Sequence, residues 1–131
     1  MRTRGSVSAL ALCAALSAGS ARAAVSEDNF NLRNTGDLIA LCSSTQTDPL
    51  YTAAINFCHG FAVGVFRVLQ REDAARQSNH LFCQPNPAPT RSEAVASFVQ
   101  WINARPDRMA LAPADGIAAF LADQYKCPRG R

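Results

Sequence analysis

The sequence predicts an all-α fold: a compact bundle of about four helices held by two disulfides, after a cleaved signal peptide. Apolar residues recur at helical spacing in successive stretches, and no strand-like alternation, repeat or low-complexity tract lies between them. Four cysteines, Cys42, Cys58, Cys83 and Cys127, follow an N-terminal segment built like an export signal. An even number of cysteines outside the reducing cytoplasm reads as a disulfide framework.

The export signal is expected at residues 1–23. Arg2 and Arg4 form a basic start, Val7 to Ala18 a short apolar stretch, and Ala21-Arg22-Ala23 a small-residue cleavage site before Ala24. The apolar run is shorter than the roughly 20 residues of a membrane span, and no second such run is expected after it. A lipoprotein signal would want a small residue at Leu12, so Cys13 is expected to leave with the leader. One domain, residues 24–131, remains, and its size of about 108 residues suits a modest single core.

The leader also carries the net charge. The chain has 13 basic and 10 acidic residues. Arg2, Arg4 and Arg22 supply the whole excess, so the remaining domain is formally neutral. That removes the compositional case for nucleic acid or an anionic membrane as partner, because both need clustered cations. Lys126 is the only lysine, and arginine favours planar, bidentate contacts with a protein partner.

The elements follow in order. Ala24 to Asn34 has no sustained period and is expected to dock through Phe30 and Leu32. A short first helix begins near Thr35, read as its N-cap, with Asp37 at the positive helix end and Leu38, Leu41 and Cys42 at helical spacing. Asp48-Pro49 reads as the N-cap and first residue of a long second helix. Leu50, Ala54, Phe57, Cys58, Phe61, Val65 and Leu69 give it the strongest amphipathic pattern of the chain, so it is expected to be the central helix. Gly60 and Gly64 lie one turn apart within it. They are read either as a close approach of another helix of the same chain or as a homodimer seam or partner groove.

Arg71 to Arg76 should carry that helix into solvent, and Gln77 to Pro89 reads as a polar loop containing Cys83. Thr90-Arg91-Ser92-Glu93 is a capping box opening a third helix, with Val95, Phe98, Val99 and Ile102 inward and Trp101 to one side. Arg105-Pro106 ends it. A fourth helix starts around Pro113, turns Ile117, Phe120, Leu121 and Tyr125 inward, and stops at Cys127-Pro128.

Four cysteines allow three pairings. Antiparallel succession of the helices favours Cys42 with Cys58 and Cys83 with Cys127. The competing arrangement joins Cys58 to Cys83 and Cys42 to Cys127. Cys58-His59 and His80-x-x-Cys83 raise a metal site, but the paired spacing of zinc ligands is missing, and haem attachment would need C-x-x-C-H. No metal and no cofactor is expected. A Cys–His nucleophile would need a free, activated thiol. No nucleophile elbow, zincin motif or phosphate-cradling glycine loop appears, so the chain is not read as an enzyme.

Thr35-Gly36-Asp37-Leu38 to Cys42, Cys58-His59-Gly60-Phe61-x-x-Gly64, Phe82-Cys83-x-Pro85, Pro106, Ala118 to Leu121 and Tyr125-x-Cys127 together resemble the Rap/Tai family. Phe61 stands where tyrosine is common there, and Lys126 where proline is common. The resemblance implies a periplasmic immunity protein that sterically blocks a peptidoglycan amidase effector of type VI secretion. The matching residues belong to the scaffold, so the contact surface has to be sought in loops. Arg71, Arg76 and His80, in the polar stretch to Pro89, are the candidate partner-binding residues, against the alternative that this stretch is only a solvated connection. The Arg105 to Pro113 turn is the second candidate surface. The runner-up function is a periplasmic stress or holdase protein, or another envelope protein-interaction module.

Overall fold

The computed structural model describes residues 24–128, and the expected leader, with Cys13, lies outside the described residues. Four α-helices form the domain: α1 (Thr35–Cys42), α2 (Tyr51–Ala74), α3 (Arg91–Asn103) and α4 (Pro113–Gln124). Two short 3-10 turns, Glu27–Asn31 and Pro106–Ala110, precede α1 and α4, and no strand occurs among the described residues.

The shortest helix is the hub. α1 contacts both 3-10 turns and every other helix. Leu38 and Leu41 are fully buried, and Ile39 and Cys42 nearly so. A helix apolar on nearly all sides belongs inside, and eight residues are short enough to be enclosed completely. Asn34, not Thr35, is its N-cap: the Asn34 side chain accepts from the Asp37 backbone N–H at 3.0 Å. Thr35 is instead fully buried, donating through Oγ1 to the carbonyls of Leu111 (3.0 Å) and Ala112 (3.2 Å). Its backbone N–H also donates to the Leu111 carbonyl at 2.7 Å. The start of α1 is thereby joined to the start of α4.

The expectation of a central α2 is corrected by this arrangement. α2 encloses only Ala54, Cys58 and Asp73. Phe61, Val65, Phe66 and Leu69 are half-buried against the core, while Phe57 and Val68 remain 38% and 57% exposed. Its apolar stripe is wider than its neighbours cover. The close-approach reading of Gly60 and Gly64 also fails, since a Cβ at either position would meet nothing within 4 Å. By length and composition α2 is able to cross a membrane, contrary to the expectation of no second such run. In this fold it is cross-linked to α1 at Cys58 and packs against α4.

α2 begins two residues later than Pro49 implies. The Asp48 carboxylate accepts from the Leu50 N–H and, across the chain, from the Val25 N–H, both at 2.8 Å. This fastens the N-terminal segment, which docks as expected through Phe30 and Leu32; Phe30 meets the edge of Phe57 at 5.4 Å. The segment also forms the 3-10 turn Glu27–Asn31, where too few residues exist to display a period.

Thr90 caps α3 as the sequence implies, with Glu93 completing the reciprocal box. Trp101 lies inside rather than beside the stripe: it is 5% exposed and Val99 is only partly covered. The reason is Phe120 of α4, whose ring takes Phe98, Trp101 and Tyr125 edge-on at 5.5, 5.9 and 5.8 Å. Such edge contacts add about 0.5–1.5 kcal/mol each beyond area burial.

Both disulfides follow the antiparallel pairing. Cys42 and Cys58 join α1 to α2 with Cα atoms 5.2 Å apart, and Cys83 and Cys127 join the loop before α3 to the end of α4 at 4.8 Å.

Candidate functional site

The long loop after α2 is held at several points before it can present anything to a partner. Asp73, on the last turn of α2, points inward, contrary to the expectation that this turn leaves the protein. Its carboxylate accepts a hydrogen bond from the Leu81 backbone N–H and lies 3.0 Å from His80 Nδ1. Phe82 is then buried against Phe66, ring centres 5.8 Å apart. Cys83 donates its N–H to the Tyr125 carbonyl at 2.7 Å besides forming its disulfide.

Arg71, Arg76 and His80 therefore differ in standing. Arg71 is exposed on α2. Arg76 closes the turn, reaching the carbonyl of Asn79, whose φ of 56° is left-handed and suits asparagine. His80 is engaged by Asp73, with its side chain still 42% exposed. Arg76 and His80 share one turn, stapled to the helix end. Sequence reading misses Asp73, whose only signal is its place as an acid seven positions ahead of His80.

A second surface surrounds Trp101. The indole N–H donates to Asp123 Oδ2 at 2.7 Å, and the Arg105 and Arg108 guanidinium carbons lie 4.6 and 5.3 Å from the indole ring centre. Arg105 also reaches Asp123 at 3.4 Å, as Lys126 does at 3.5 Å. The indole hydrogen bond holds the Asp123 carboxyl below the usual range, helped by the Gln124 amide. Cation stacking on an aromatic face in this geometry contributes about 0.5–1 kcal/mol at exposed sites. The result is a basic patch with a rigid base in the expected Arg105 to Pro113 region.

All four cysteines of the framework are oxidised, leaving none of them as a nucleophile or thiolate ligand. No group of three or more His, Cys, Asp or Glu residues able to hold a metal occurs among the described residues. His59 is half-buried in an open depression between α1 and α3, beside Ser43 and Glu93. Glu93 is occupied by the α3 cap: Thr90 donates both its N–H and its hydroxyl to the carboxylate, each at 2.7 Å. Those bonds lower the Glu93 pKa.

The fold and the two surfaces define a small all-helical domain clamped by two disulfides, with loops braced against a rigid core, and such a fold by itself assigns no function. The family profile of the Rap1a immunity proteins matches residues 34–127, and the chain belongs to that family. No curated protein and no solved structure matches it. The family, together with the two disulfides, points to an exported protein that binds a cognate effector.

Proposed function

We propose that this chain is a periplasmic immunity protein that binds and sterically blocks a peptidoglycan amidase effector delivered by type VI secretion. The observation that carries the reading is the immunity-family match across residues 34–127 of a domain whose framework cysteines are paired. Residues 1–23 act as the leader, with cleavage near Ala23, and residues 24–131 form the immunity domain. The protein works by occlusion and supplies no chemistry of its own.

The contact surface is the end of α2 and the loop that follows, with Arg71, Arg76 and His80 facing the effector. Bracing by Asp73, Phe82 and Cys83 supports this reading, because a loop ordered before binding loses less conformational freedom on docking. A homodimer seam on α2 is the companion proposal. Phe57, Gly60, Gly64 and Val68 are exposed at spacings of three and four residues, so they share one uncovered face.

The test is a competition between sister cells. A strain lacking this protein should be killed by a parent carrying the neighbouring amidase effector and rescued by the exported protein. Normal resistance of the deletion strain would sink the reading.

A further inference from the structure

Between α2, α3, α4 and the loop before α3 lies a cleft of about 280 Å³. Its walls include Phe66, Phe82, Phe98 and Phe120. Three of these rings, Phe82, Phe98 and Phe120, are at most 5% exposed as residues, so the floor is a rigid aromatic surface rather than a gap between mobile chains. The lining contains two arginines, Arg67 of α2 and Arg91 at the first position of α3, and no Asp or Glu. Neither arginine has a carboxylate partner among the described residues.

Arg33, Arg105 and Arg108 each have an acidic partner within 4.0 Å. Arg67 and Arg91, like Arg71 and Arg76, have none among the described residues, and of these four only Arg67 and Arg91 border the apolar cleft. Arg67 reaches only the neutral Gln70 amide oxygen, at 3.0 Å. The positive end of α3 adds to the field at Arg91, although Thr90 and Glu93 already satisfy part of that helix end. The volume is close to the lower bound of about 300 Å³ for small-molecule sites, room for one hydrocarbon chain and too little for a helix or a two-chain lipid.

We propose that this cleft binds a single-chain carboxylate amphiphile, a medium-length fatty acid, with its tail on the phenylalanine floor and its carboxylate at Arg67 and Arg91. The apolar floor takes the methylene groups out of water, and the arginine rim gives the unpaired anion charge-assisted hydrogen bonds. This function is separate from effector binding, and either reading can fail without the other.

Decanoate, kept below its micellar concentration, is the probe. It is titrated into the oxidised protein by calorimetry and by the fluorescence of Trp101, the only tryptophan, whose ring meets the cleft-lining Phe120. Saturable binding of one decanoate per chain is expected. Decyltrimethylammonium, and decanoate with the R67Q/R91Q double variant, should bind at least about tenfold more weakly, since loss of even one of the two charge-assisted contacts costs about that much. Ala62→Phe, which fills the cleft from α2, should abolish binding. The two glutamine substitutions sit at exposed positions and leave the core intact, so they decide the matter if the filled variant does not fold. No saturation with decanoate, equal binding of the cationic amphiphile, or undiminished binding by the double variant overturns the proposal.

Discussion

Thr35 and Gly116 meet so closely that a β-carbon on Gly116 would stand 2.8 Å from Thr35 Cγ2. Both residues are buried, and the Thr35 hydroxyl, which faces Gly116, is fixed by its hydrogen bonds to the carbonyls of Leu111 and Ala112. It cannot retreat. Gly116→Ala would ordinarily strengthen a helix by about 1 kcal/mol. Here overpacking against a fixed neighbour, about 1–3 kcal/mol, outweighs that gain. A lower urea midpoint for Gly116→Ala is expected, and an unchanged or higher one would contradict the contact.

Gly60 and Gly64 give the opposite sign. Each has open space where a Cβ would go, within an exposed stretch of α2. Gly60→Ala and Gly64→Ala should each stabilise the isolated domain by about 0.5–1 kcal/mol. If this face is also the proposed homodimer seam, the same substitutions should weaken self-association in sedimentation experiments while raising the melting temperature.

Acid should loosen the N-terminal lock. Asp37 accepts from Arg33 Nε at 2.9 Å, Arg33 N–H at 3.0 Å and Asn29 at 3.0 Å. The Arg33 side chain is the main reason its carboxyl lies below the usual range, with burial opposing it. A depressed folded pKa means the stabilisation is fully present above the unfolded value near about 4 and is lost as pH falls through the lower folded value. Asp37→Ala should cost about 2 kcal/mol at neutral pH. Thermal melts from pH 7 to pH 3 should show a smaller acid loss for Asp37→Asn than for the parent protein.

The two disulfides should differ in weight. The Cys42–Cys58 loop spans a separation of 16 residues and the Cys83–Cys127 loop 44. If restriction of the unfolded chain dominates, removing them costs about 3 and about 4 kcal/mol respectively. Denaturant titration of the C42S/C58S and C83S/C127S double variants compares them directly. A larger loss from the shorter loop would assign the effect to native packing around the fully buried Cys58.

Helix number, the α3 cap, the α4 start at Pro113 and the disulfide pairing were legible because each rests on local chemistry or on the succession of helices. What sequence periodicity could not convey was which helix the others surround. A strong amphipathic pattern like that of α2 states how much apolar surface exists, not how much is covered. α1 has a weak pattern because Leu38, Ile39, Leu41 and Cys42 leave it almost no polar side. Asp73 and Trp101 were misplaced for a related reason: their burial depends on His80 and Leu81 in one case and on Phe120 and Asp123 in the other. Of the candidate contact residues, composition singled out Arg71, Arg76 and His80 but gave no sign that His80 is tied to the helix end.

Alanine substitution separates bracing from contact. Asp73→Ala should release the Leu81 N–H and speed amide exchange across Asn79 to Leu81, without lowering global stability in proportion. Arg71→Ala touches no described hydrogen bond of its side chain and should change stability by less than about 0.5 kcal/mol. If this end of the molecule contacts the effector, Arg71→Ala should weaken binding while leaving the exchange pattern unaltered.

The central claim is tested most directly by titrating the oxidised domain, residues 24–131, into the purified amidase encoded beside it and following peptidoglycan hydrolysis. The account predicts loss of activity that is complete near stoichiometric concentration and relieved by substitutions at the α2 end or its loop. Full hydrolysis at a large molar excess of the oxidised domain would contradict it.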